Sequence, residues 1–285
     1  MKKKFWKILA LVIALALILG VAAFANSLVG NPLSKMLAER TAEKYLAETY
    51  AGTDYYVEKV AFSFKSISYY AKIRSESSVD TQFTLYIDMW GQLYFDTYDD
   101  VLSGAITARR VEQEYRELTD QIFESPSFPY DSDIGFGTLE INHRGAIENP
   151  ELTDVPEWSI VMEELILDKI YDPRELGAQA GHLIVYVDSD NLTYEIAAQI
   201  LLDIRAEFDE ANIPFRAIDF TLQYPRPEEG PRPDDYIGVE NFSYEDIYEE
   251  GLVARVQAAD SELKAYRGKL DAEMEKYLAT LPTES

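Results

Sequence analysis

Two histidines, His143 and His182, are the only imidazoles in the chain. With nearby carboxylates they are the residue types suited to bind zinc or move a proton. Their spacing lacks the i, i+4 separation of two ligands on one helix face, and neither sits in an HExxH pattern. They read as strand-end histidines. No GxSxG elbow presents a serine, so a Ser-His-Asp arrangement has no support. Asp96, Asp99 and Asp100 cluster after a strand, and Asp131-Ser132-Asp133 and Asp188-Ser189-Asp190-Asn191 share a D-x-D spacing that suits calcium. None has the sixth-position glycine and distal glutamate of an EF-hand; Asx turns and helix caps explain them more simply. The 51 acidic side chains guarantee chance pairs, so carboxylates at the roughly 5 to 10 Å that glycoside hydrolysis needs are not identifiable from spacing. The sequence therefore names no catalytic residue and no cofactor-binding residue. Its metal ligands are undefined, with calcium the cation its loops suit.

One further group bears on binding. Tyr69, Tyr70, Phe83, Tyr86, Trp90, Tyr94 and Phe95 lie in aromatic-rich strands. They either pack alternately into a core, the default, or line a groove for a peptide or sugar.

The elements that hold these residues are set by periodicity. Asn31 as cap and Pro32 at the first position start a helix that Gly52 ends, with Leu33, Met36, Leu37, Tyr45, Leu46 and Tyr50 on its apolar stripe. Residues 55–66, 68–75 and 82–90 read as antiparallel strands, with a turn at Gly91 and Gln92 into residues 93–95. A second helix spans 104–123 with Val111, Tyr115, Leu118 and Ile122 inward, and Ser125-Pro126-Ser127-Phe128-Pro129 breaks it, marking a domain boundary. Beyond lie a strand at 137–143, an apolar segment at 158–170, a strand at 182–187, a helix to about 211, a strand at 215–224, a proline-rich loop and a strand at 236–244. Strand, helix, strand at this spacing is a βαβ-type or split-β unit. A final helix over 252–278 repeats Leu252, Val256, Ala259, Leu263, Tyr266, Leu270, Met274 and Tyr277 at intervals of three and four. It packs on its own sheet or pairs as a coiled coil.

The start of the chain sets the compartment. Lys2, Lys3, Lys4 and Lys7 precede an uncharged apolar run from Ile8 to Ala25. Cationic residues stay on the cytoplasmic side, so this pattern reads as export. As a helix the run would reach roughly 27 Å, close to the hydrocarbon thickness, which reads as a retained single-pass anchor with Trp6 at the interface. Gly20 and Ala23-Phe24-Ala25 compose a cleavage signal, which reads as a removable peptide and a secreted protein beginning at Asn26. The chain has no cysteine, which excludes disulfides, thiol catalysis, thiolate metal sites and lipoprotein attachment. Setting the four leading lysines aside leaves 22 basic against 51 acidic side chains, a net of −29, so nucleic acid is excluded as a partner.

Gly30-Asn31-Pro32, the helix through Tyr45 to Tyr50, Tyr69-Tyr70-Ala71-Lys72, Phe83-Thr84-Leu85-Tyr86 and Asp96-Thr97-Tyr98-Asp99-Asp100-Val101 together resemble the YfjL-like proteins of Gram-positive bacteria. The resemblance implies an N-terminal transmembrane anchor, an α+β first domain and a separate C-terminal domain. It implies no reaction and carries over no catalytic residue. A helix preceding an antiparallel sheet is also similar in architecture to cystatin-like and PepSY-like domains.

The expected fold is therefore α+β: a signal anchor or signal peptide at 1–27, a helix-plus-antiparallel-sheet domain at 32–128 and a second α+β domain at 134–281. The expected function is a non-catalytic, membrane-tethered extracytoplasmic protein that binds a protein, a peptide or a small molecule. An envelope-associated hydrolase or metal-dependent enzyme is the alternative, and a coiled-coil assembly factor is a third reading.

Overall fold

The computed structural model describes residues 30–149 and 153–280, with Trp6, residues 11–15, Leu17, Gly20 and Leu28 before them. The export segment expected at 1–27 lies mostly outside the described residues. Among the described residues no helix is long and apolar enough to cross a membrane. The chain is α+β and divides into two compact units: residues 1–107 with 166–168, and residues 108–165 with 169–285.

In the first unit, helix α1 (Pro32–Thr49) starts where the sequence places it. Asn31 has extended backbone, and its side chain accepts a hydrogen bond from the Leu33 amide at 2.8 Å, satisfying one donor that the helix leaves free. Four strands succeed it, β1 (Tyr55–Ser63), β2 (Ser68–Ser75), β3 (Gln82–Ile87) and β4 (Leu93–Asp96), ordered β1-β2-β3-β4 and antiparallel throughout. β3 stops at Ile87, short of Trp90, because the Asp88 carboxylate accepts from the Trp90 and Gln92 amides, both at 2.8 Å, and folds the chain into a turn.

The buried face of α1 differs from the expected stripe. Ala38, Ala42 and Leu46 meet the sheet, while Leu33, Met36 and Leu37 are exposed. Small alanines let the helix axis approach the sheet, whose Val60, Tyr69, Ala71, Ile73, Phe83, Leu85 and Ile87 share this core with Val101 and Ile106.

The second unit takes most of helix α2 (Ala105–Phe123), whose Val111 and Tyr115 are fully buried in its core. The proline-rich break at 125–129 ends that helix, but the helix packs with the C-terminal elements rather than with the domain expected at 32–128. The sheet of this unit is built from β5 (Ile134–Leu139), β8 (Gly181–Asp188), β9 (Ala217–Gln223) and β10 (Tyr236–Ser243), in the order β10-β9-β8-β5. The short strands β6 (Ile141–Asn142) and β7 (Ile160–Val161) pair separately. Helix α3 (Pro173–Ala180), which periodicity does not predict, begins on an Asp172 cap and Pro173. Helix α4 (Tyr194–Glu210) crosses from β8 to its parallel neighbour β9, as the strand, helix, strand spacing predicts. Its cap is Thr193, whose side chain accepts from the Ile196 amide.

Helix α5 (Leu252–Thr280) is divided along its length. Leu252, Val256 and Leu263 are buried, whereas Tyr266, Leu270, Met274 and Tyr277 are exposed. Asp260, itself buried, fixes the first half: it accepts from the Gly238 amide, the Tyr194 hydroxyl and the Lys264 ammonium, each at 2.9 Å.

Candidate functional site

The two histidines are used differently. His143 lies after β6 on the surface, its Nδ1 2.8 Å from Glu163 Oε1. That contact and the Arg144 amide hold the Glu163 carboxyl down at about 2. His182, the second residue of β8, is buried with both nitrogens occupied. Nδ1 lies 2.8 Å from Glu140 Oε1 and Nε2 lies 2.8 Å from Asp219 Oδ1. A carboxylate only accepts, so both nitrogens carry protons and the ring is an imidazolium. Burial pulls its pKa down, but the hydrogen bonds it donates to Asp219 and Glu140, with their negative charges, overcome this and raise it to about 9.

Asp219 also accepts from the Asn241 amide at 2.7 Å, and the Trp158 ring stands edge-on to the imidazole. An imidazolium bonded at both ends has no lone pair for a metal or a substrate proton. It acts as a clamp joining the β5–β6 junction to β8 and β9.

The aspartate clusters are likewise engaged. Asp133 and Asp188, one from each D-x-D segment, meet at Arg232, at 3.0 and 3.4 Å. Asp96 accepts from the Tyr45 hydroxyl and the Tyr98 amide, while Asp99 and Asp100 form the first turn of a four-residue helix. Among the described residues no group of three or more His, Asp or Glu side chains is placed to hold a metal ion.

The aromatic residues separate by strand alternation. Tyr69 and Phe83 point into the first core. Tyr70, Tyr86 and Phe95 are cross-strand neighbours on the other face, and none is buried. Tyr86 and Phe95 stack with ring centroids 4.6 Å apart and planes 18° from parallel. The same face carries Lys59 and Lys72, which the register sets directly opposite one another. Both are exposed, and among the described residues neither has an ion-pair partner. Like charges facing each other across a ladder are destabilising. Lys72 shares β2 and its outer face with Tyr70, so positive charge and aromatic area lie on one face of this sheet.

A second feature lies at the start of α1. A cavity of about 310 Å³ opens between Gly30, Asn31 and Ser34 on one side and the turn residues Ile67, Met89 and Trp90 on the other, with Phe62 and Tyr69 completing its lining. Gly30 has φ +78°, and an added Cβ would lie 2.6 Å from the Tyr69 hydroxyl and 2.8 Å from Phe62. Only glycine fits there.

Sequence reasoning found the aromatic strands and both histidines. It missed the lysine pair, which depends on a bulge at Glu58 that shifts the β1–β2 register.

Residues 2–96 match the family model of the YfjL-like N-terminal domain, and residues 114–257 match that of the YfjL-like C-terminal domain. No curated protein and no solved structure matches the chain. The likeness to cystatin-like and PepSY-like domains therefore rests on element order alone.

Proposed function

Starting from the fact that this chain belongs to the YfjL-like family, we propose that it is a membrane-tethered, extracytoplasmic binding module, not an enzyme, and that it holds an acidic peptide segment of a protein partner. Residues 1–27 serve as a single-pass anchor with the remainder outside. The lysine-flanked apolar run supports this reading, and cleavage after Ala25 would make the protein secreted instead.

The observation that carries the binding reading is the open sheet face of the first unit. The opposed Lys59 and Lys72 supply positive charge, and Tyr70, Tyr86 and Phe95 supply planar apolar area. An antiparallel sheet with one solvated face usually makes that face polar. Here it carries three aromatic rings.

The test is site-specific photo-crosslinking from a benzophenone amino acid at Phe95 in the full chain in cells, with Gln257 as the exposed comparison site. A discrete product at Phe95, absent at Gln257 and abolished by Lys59→Glu with Lys72→Glu, supports the reading. Charge reversal leaves like charges opposed, so stability changes little while the sign offered to a ligand inverts. Identical products from both sites, or a product indifferent to charge reversal, would contradict it.

A further inference from the structure

The start of α1 gathers an unusual set of side chains. Two turns flank it, one joining β1 to β2 and one joining β3 to β4. The first presents Phe64 and Ile67, 61% and 63% exposed, and the second presents Met89 and Trp90, the latter 75% exposed. Beside them α1 exposes Leu33 and Met36. Scattered apolar residues on a surface need no explanation; here Ile67, Met89 and Trp90 line one cavity, and Phe64, Leu33 and Met36 are exposed on two of the elements that line it, the β1–β2 turn and α1.

The arrangement is built, not frayed. The β3–β4 turn is held to α1 by a hydrogen bond from Thr41 Oγ1 to the Gly91 carbonyl at 2.6 Å. Gly91 has φ +83°, and its Cβ position lies 3.1 Å from Leu37, so the turn sits hard against the helix. Ile67 has φ +51°, a left-handed backbone that β-branched residues rarely adopt. Glycine or asparagine would suit that position better in water. An exposed isoleucine there satisfies neither backbone nor solvent.

The chain itself says what lies close by. Gly30 lines this cavity, and Ala25, the last residue of the apolar run, is five residues earlier. Fully extended, those five steps reach at most roughly 18 Å. An anchored chain therefore keeps this rim within reach of the headgroup layer. Tryptophan is favoured at that layer, and aromatic and aliphatic tips bury there. The acidic groups of the rim are engaged elsewhere: Asp88 caps its own turn and Glu39 pairs with Lys35. Lys65 stands in the β1–β2 turn.

We infer that this rim is a membrane-contact surface: Phe64, Ile67, Met89 and Trp90 insert into the outer interface of the bilayer that holds the anchor, fixing the first unit's orientation. The inference rests on the anchor reading of the proposed function, and the occupant is the zwitterionic phospholipid interface. The net charge of −29 beyond the leading lysines disfavours anionic headgroups as the attracting group.

The experiment uses the full chain reconstituted into phosphatidylcholine vesicles brominated near the top of the acyl chains. Three tryptophans exist, at 6, 90 and 158. One variant carries Trp6→Phe and Trp158→Phe, leaving Trp90; the other carries Trp90→Phe and Trp158→Phe, leaving Trp6. The expected result is quenching of Trp90 by at least about twofold relative to unbrominated vesicles, as an interfacial tryptophan gives. An unquenched Trp90 beside a quenched Trp6 overturns the contact surface and leaves the anchor standing. An unquenched Trp6 overturns the anchor reading.

Discussion

The Tyr69 hydroxyl accepts a hydrogen bond from the Asn31 amide at 2.6 Å and donates one to the Asn31 carbonyl at 2.9 Å. One buried side chain on β2 thus holds both backbone groups of the residue that caps α1. The point where the chain enters the first unit is fixed to the turn end of the β1–β2 hairpin, where Tyr69 pairs with Phe62 one step in from the turn.

Tyr69→Phe removes both bonds and leaves the part-buried Asn31 amide without its acceptor. The expected cost is about 1 to 3 kcal/mol, confined to the first unit. Native-state hydrogen exchange checks this: amides of Ala71 and Leu85 lose protection, while Val185 in the other core is unchanged. Equal loss in both cores would show that Tyr69 acts otherwise.

His182 makes stability depend on pH in a definite direction. Its pKa is raised from 6.5 to about 9 in the folded chain. Stabilisation from the protonated ring is therefore complete below pH 6.5 and lost as the pH rises through 9. It amounts to about 3 kcal/mol at most. Urea midpoints should fall over this window in the parent and stay flatter in His182→Gln. A parent slope that His182→Gln leaves unchanged would assign the effect to other groups.

The two halves of α5 respond differently to the same change. Leu263 is 8% exposed and its Cδ2 lies 3.3 Å from the Cβ position of Gly238, whereas Leu270 is 46% exposed. Leu263→Asp buries a charge without a partner and should destabilise the second unit by several kcal/mol, on the order of 3 to 5. Leu270→Asp should leave thermal unfolding within roughly 0.5 kcal/mol. Dispersal of a dimer by Leu270→Asp with the fold intact would support the coiled-coil reading for this part of the helix.

The features legible in the sequence were local. Asn31-Pro32 announces α1 because cap and proline act within one turn. Asp172-Pro173 is the same signal, yet α3 has eight residues, too few for an apolar period to form. Leu33, Met36 and Leu37 looked inward by type, but the sheet's position selected Ala38 and Ala42 instead. The partners of His182 lie 42 and 37 residues away in sequence, and only strand pairing brings them together. The opposed lysines depend on one bulged residue, a register fact no composition encodes.

The tether and its orientation are tested most directly by thiol accessibility, since the chain has no cysteine of its own. Lys3→Cys and Glu249→Cys are placed singly in the full chain, the second at an exposed site. Both are probed with a membrane-impermeant maleimide in intact cells. An outward-facing tether predicts that the protein stays in the membrane fraction, that position 249 is labelled in intact cells, and that position 3 is labelled only after permeabilisation. Protection of position 249 until lysis would contradict it, as would recovery of the protein from the medium without the thiol at position 3.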